Sequence, residues 1–159
     1  MALEISEDLV SLAYQSLGYF VLEGRKIGRR EMDLLAVRLG DDGEVAERLH
    51  VEISISVSPA GILRKGSAWA TKQPDESAKE WFEQKFEDSA LRAEVQKAFH
   101  VPDYKKVFVH GELQVPPQLE VLTALGVDCV HIRDLVKRAL KEGAENRLHR
   151  AVGIAKLLT

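Results

Sequence analysis

Three acidic residues have positions that set them apart from the other acids of the chain. Glu7 falls, at about 100° per residue, within the helical stripe formed by Leu3, Val10 and Tyr14, whereas Glu4 and Asp8 fall off it. Taken alone, Glu7 also reads as a first-turn acid near a helix dipole. A carboxylate on an inward face requires a partner, because a buried charge without one is costly. Asp33 opens an apolar stretch on the side of Leu35, Val37 and Leu39, and Glu52 sits among alternating apolar residues on the polar side. Taken alone, Glu52 is explained by a half-exposed strand. If the two strands pair, both carboxylates lie near one end of a sheet. Two such groups repel unless a cation stands between them, and hard cations such as Mg²⁺ take oxygen ligands.

A fourth candidate carries the opposite charge. Measured from Ala78 along a helix, Trp81, Phe82, Phe86 and Ala93 span an inward arc, and Lys85 lies inside it while Lys79 points away. The plainer alternative is a lysine running along the apolar edge and reaching water. Lys72 and Lys65 are less defined substitutes. The basic turn of Arg25, Lys26, Arg29 and Arg30, with Arg64 and Lys65 further on, offers phosphate contacts, although a solvated hairpin tip is its default reading. His50, His110 and His131 are spread over three expected strands and form no compact ligand motif, so no role is assigned to them. Trp69 and Trp81 are read as core before base-stacking residues.

These residues are carried by elements legible in the pattern. Residues 3–17 form an amphipathic helix that Gly18 stops. YFVLEGR is a strand leading into a turn at Gly28, and DLLAVRL is the next strand, ended by Gly40-Asp41-Asp42-Gly43. From Leu49 to Val57 the alternation is strict, with Leu49, Val51, Ile53, Ile55 and Val57 on one side and His50, Glu52, Ser54 and Ser56 on the other; this predicts a strand with one buried face. Pro74 opens a long helix from about residue 75 to 99. YKKVFVH and VDCVHI are further strands, separated by a short helix from the Pro116-Pro117 pair to Leu125. A helix follows from about 134 to 141, and an amphipathic stretch from 145 to 158 suits docking or dimerisation. The expected fold is α/β, a mixed sheet flanked by helices with an α-β-β-β-α-β core.

Composition bounds the function classes. The chain has 159 residues, 45% hydrophobic and 30% charged, which suits one globular domain spanning 1–159 and not a disordered chain. No apolar run is long enough to cross a membrane. The start MALEISEDLV lacks the basic and apolar regions of a secretory signal, so a cytoplasmic protein is expected. The single cysteine, Cys129, can form no internal disulfide and reads as a small core residue. A net charge of −3 weighs mildly against a nucleic-acid partner and leaves only local basic patches.

The element order, with GYFVLEGR, GRREMDLLAV and LHVEIS, resembles the PD-(D/E)XK nuclease superfamily, the restriction-endonuclease-like proteins. Small bacterial endonucleases and Holliday-junction-resolvase-like proteins of that group read similarly over about residues 4–110. The resemblance implies that Asp33, ending Glu31-Met32-Asp33, and Glu52, the acid of the (D/E)XK element, bind Mg²⁺ or Mn²⁺, with Glu7 as the helix-one acid. It implies a DNA phosphodiesterase; a homodimer is expected separately, because duplex cleavage is readily arranged with two related sites and the amphipathic terminal stretch offers a surface. The departure is Ser54, which stands where the family places its lysine and supplies no charge. Either Lys85 replaces that lysine, making Asp33, Glu52, Lys85 and Glu7 the catalytic set, or the domain is a catalytically silent module that binds nucleic acid or protein. A third reading is an unrelated α/β protein whose acids are surface charge.

Overall fold

The computed structural model describes residues 2–28, 30–55, 74–111 and 116–143. Helix α1 (Ala2–Ser16) leads into strands β1 (Tyr19–Ile27), β2 (Arg30–Leu39) and β3 (Val45–Ser54). Then come α2 (Pro74–Phe82), a π-helical turn (Glu83–Glu87), α3 (Ser89–Phe99), β4 (Lys105–His110), α4 (Pro116–Ala124), β5 (Val127–His131) and α5 (residues 132–143). The five strands form one mixed sheet in the order β1-β2-β3-β4-β5. The first three are antiparallel, and β3, β4 and β5 run parallel. The expected α/β architecture, with helices flanking a mixed sheet and the β1, β2 and β3 strands adjacent, is the one observed.

Local chemistry explains the boundaries. Gly18, at φ 89°, ends α1 in a left-handed conformation that a side chain would disfavour, and its N–H closes on the Gln15 carbonyl. The β2–β3 connection is held by Gly43 N–H to the Gly40 carbonyl, Gly40 N–H to the Glu44 carbonyl, and the Asp42 carboxylate accepting from Glu44 N–H.

One face of the sheet is apolar. Leu34, Ala36, Leu49, Val51, Ile53, Val107 and Val109 pack against Val10, Ala13 and Tyr14 of α1, Leu17 just after it, and Leu135 and Ala139 of α5. On the other face, Trp81, Phe82 and Phe86 pack with Phe108, Leu122 and Val127, while Leu91, Val95 and Phe99 of α3 cover Met32 and Leu35. Trp81 is buried there, in edge contact with Phe108, which makes it a core residue. Cys129 is half-buried against the same cluster.

Two expectations are corrected. The long helix from 75 to 99 is broken: a π-helical turn follows α2, Asp88 leaves the helical region at ψ 128°, and its carboxylate restarts the helix by accepting from Ala90 and Leu91 N–H. Strand β3 is buried on both faces, because the α2–α3 layer covers the side carrying His50 and Glu52, which are 1% and 0% exposed. Among the described residues no helix is long and apolar enough to cross a membrane. The stretch from 145 to 158, and Arg64, Lys65, Trp69 and Lys72, lie outside the described residues.

Candidate active site

Strands β2 and β3 part at Asp33. Their register runs from Leu39 with Val45 down to Leu34 with Val51 and stops there. Just beyond that last pair, Asp33 Oδ2 accepts from Ile53 N–H at 2.7 Å, so a side chain takes over the role of a ladder carbonyl. Alternation breaks at the same point, since Met32 and Leu35 both pack under α3. A carboxylate is thereby fixed in the fork between two strands.

Glu52 projects into that fork from the face that α2 and α3 cover. Its Oε1 lies 2.9 Å from His50 Nε2, and its Oε2 lies 3.3 Å from Lys85 Nζ, in ionic contact without hydrogen-bond geometry. The Asp33 and Glu52 carboxyls are close enough for their charges to act on each other. Burial pushes both up to about 7, Asp33 further through the charge of Glu52, while Lys85 opposes the rise. Both carboxyls are thus held above the ordinary carboxylate range by burial, and the charge of each bears on the titration of the other.

Lys85 comes from the π-helical turn, with buried Phe86 beside it as an anchor packed against the Trp81 and Phe82 rings. Burial disfavours its ammonium, but the charges of Glu52 and Asp33 outweigh that and raise its pKa. It stays charged. Short π-helical turns recur at functional sites because they re-aim side chains within a helix. The half-buried Glu7 is raised by burial and then by Asp33 and Glu31, which places it within electrostatic range of the pair. Thus Asp33, Glu52 and Lys85 are brought together, with Glu7 at the margin.

A polar cleft lined by Arg30, Glu31, Gln84, Lys85 and Leu91 opens beside the ammonium. Arg30 at the start of β2 is ion-paired with Asp88, the α3 cap, and stays exposed, as the expected solvated turn would leave it. Ser54 pairs in register with His110, and His110 with His131, at the far end of the parallel strands. The latter two rings are in edge contact, 5.3 Å apart.

His50 was not expected at the site. Burial pushes its pKa down to about 4, so at neutral pH it is an uncharged hydrogen-bond partner of Glu52, not an ion-pair partner. Its signal lay in the strand periodicity, since residues two apart share a face.

Among the described residues no group of three or more His, Cys, Asp and Glu is spaced to hold a metal ion. The donor set is two carboxylates, hard oxygen ligands raised in pKa chiefly by burial. That suits Mg²⁺ or Mn²⁺, which bind through one or two carboxylates and keep several waters.

No protein-family model matches the chain, and no curated protein matches it. A solved structure described as a protein of unknown function, AF1548, superimposes with a TM-score of 0.47 at 11% identity, over 79% of this chain. This chain spans 55% of the length of that protein.

Proposed function

We propose that this chain is a metal-dependent phosphodiesterase of the PD-(D/E)XK type that hydrolyses DNA. The observation that carries the reading is the Lys85 ammonium, 3.3 Å from Glu52 Oε2 beside the Asp33 carboxyl, at the point where β2 and β3 part. The charge missing at Ser54 is thus supplied from the π-helical turn. Asp33 and Glu52 would hold Mg²⁺ or Mn²⁺, which when bound supplies an acidified water and neutralises charge on the attacked phosphate. Lys85 would offset the charge that builds on the phosphate. Arg30 and Gln84, lining the adjoining cleft, would receive the phosphate backbone. Glu7 would tune the charge of the acid pair from its margin. No Ser-His-Asp or Cys-His constellation appears among these residues, so direct hydrolysis is preferred to a covalent intermediate.

Ser54 and the net charge of −3 favour a second reading, a silent module of the same fold that binds nucleic acid or protein. Metal binding separates the two. Titration calorimetry with Mn²⁺ should show binding by the unaltered protein and weaker binding by Glu52→Ala, with the fold retained. Equal affinity in both would remove Glu52 from the site, and no binding by either would favour the silent module. A homodimer would set two such sites against a duplex; a monomeric mass at high concentration would contradict that arrangement.

A further inference from the structure

We propose that His50 is a positioning residue whose imidazole locks the Glu52 carboxylate against rotation, so that Oε1 is held and Oε2 is presented to Lys85. Three observations carry this. His50 precedes Glu52 by two residues on β3, so their side chains stand on one face, and Nε2 meets Oε1 at 2.9 Å. The same ring meets Phe86, the neighbour of Lys85 in the π-helical turn, in edge contact at 4.9 Å, and Tyr104, just before β4, tilted at 6.2 Å. One imidazole therefore touches both the strand that bears the acid and the turn that bears the ammonium.

The third observation is the state of the other nitrogen. Nδ1 is buried and has no hydrogen-bond partner among the described residues. With Glu52 ionised, Nε2 carries the donated proton and Nδ1 is left as a bare lone pair. A phenylalanine would pack against Phe86 and Tyr104 without that unmet acceptor. What it lacks is the donor to Glu52, so the histidine is accounted for by the carboxylate it holds. Removing it leaves Oε1 without a partner and the carboxyl free to turn away from Lys85.

The test compares His50→Phe, which keeps the ring and removes the donor, with His50→Gln, whose amide can restore it. The first measurement is metal-free: the unfolding equilibrium with and without Lys85→Met in each background. Positioning predicts coupling, in which Lys85→Met shifts the equilibrium roughly tenfold more in the unaltered and His50→Gln proteins than in His50→Phe. Effects that add to within about twofold would overturn the proposal. If His50→Phe does not fold, His50→Leu carries the same comparison. A second measurement rests on Asp33 and Glu52 being the metal pair. Mn²⁺ affinity should fall about 10- to 100-fold in His50→Phe and largely recover in His50→Gln; equal losses in both variants would contradict the proposal. Absence of Mn²⁺ binding by the unaltered protein would sink the metal reading, while the metal-free cycle still decides the role of His50.

Discussion

The two faces of strand β3 are equally buried and chemically opposite. Leu49, Val51 and Ile53 meet α1 and α5 in a wholly apolar layer. One residue out of phase, His50 and Glu52 lie under the α2–α3 layer with no more exposure, yet they carry an imidazole and a carboxyl. The first face is stabilised by area removed from water. The second tolerates its polar groups because each reaches another: His50 to Glu52, Glu52 to Lys85, Asp33 to the Ile53 amide. Breaking such a set exposes the desolvation cost of what remains, whereas a set of this kind adds little net stability over an apolar equivalent. A site kept at that disadvantage points to chemistry more than to folding.

The largest expected effect separates the faces by packing. Phe86→Ala, on the site face, should cost about 3–5 kcal/mol and weaken Mn²⁺ binding, because Phe86 anchors both the Lys85 turn and the His50 ring. Leu135→Ala, on the apolar face, should cost about 2–5 kcal/mol and leave Mn²⁺ affinity per folded molecule unchanged. Chemical denaturation followed by calorimetry on the folded variants checks both. A loss of metal binding in Leu135→Ala would mean that the two faces are not independent.

The next effect is on pH dependence. The acid pair, pushed up to about 7, holds its proton more tightly when folded than a free carboxyl does, so its contribution is favourable at low pH and is lost as pH rises through about 7. His50 acts in the opposite direction: pushed down to about 4, it loses stability as pH falls from its ordinary range toward that value. Asp33→Asn removes the Asp33 part of the first dependence, keeps an oxygen for Ile53 N–H and leaves Glu52 and His50 in place. Relative to the unaltered protein it should gain about 1–3 kcal/mol between pH 5 and pH 8. Thermal melts at both values measure this, and a difference that does not change with pH would contradict the raised Asp33 carboxyl.

The smallest effect concerns the support of the turn. Asp88→Ala removes the α3 cap and the ion pair to Arg30, and should cost about 1 kcal/mol. If the cap also fixes the end of the turn that bears Lys85, Mn²⁺ affinity should fall modestly beside it. Stability measured by urea unfolding and affinity by calorimetry would show whether the two losses travel together.

Much of this arrangement was legible in the sequence, for reasons that differ by residue. Asp33 and Glu52 were singled out by the order of their strands together with the resemblance of EMD and LHVEIS to family motifs, while the break in alternation at Asp33 was not legible. Lys85 was found by counting at α-helical pitch, although the turn that carries it is π-helical. The stretch EQKFE has no local signature for that turn, which sets Phe86 against the Trp81 and Phe82 rings and Lys85 beside Glu52. The break at Asp88 did have a signal, a capping residue inside an apolar-periodic run, but the run read as continuous. His50 shares the face of Glu52 and was passed over because histidines were weighed as a cluster. That its face is buried could not be read from β3 at all, since it depends on a helix layer contributed from far along the chain.

The central claim is that Lys85 supplies the positive charge of a metal-dependent phosphodiester-cleaving site. The most direct test is the rate of Mn²⁺-dependent DNA cleavage by the unaltered protein, Lys85→Met and Ser54→Ala. Cleavage is expected from the unaltered protein, with a loss of about 100-fold or more in Lys85→Met and little change in Ser54→Ala. Cleavage by Lys85→Met at the unaltered rate would contradict it.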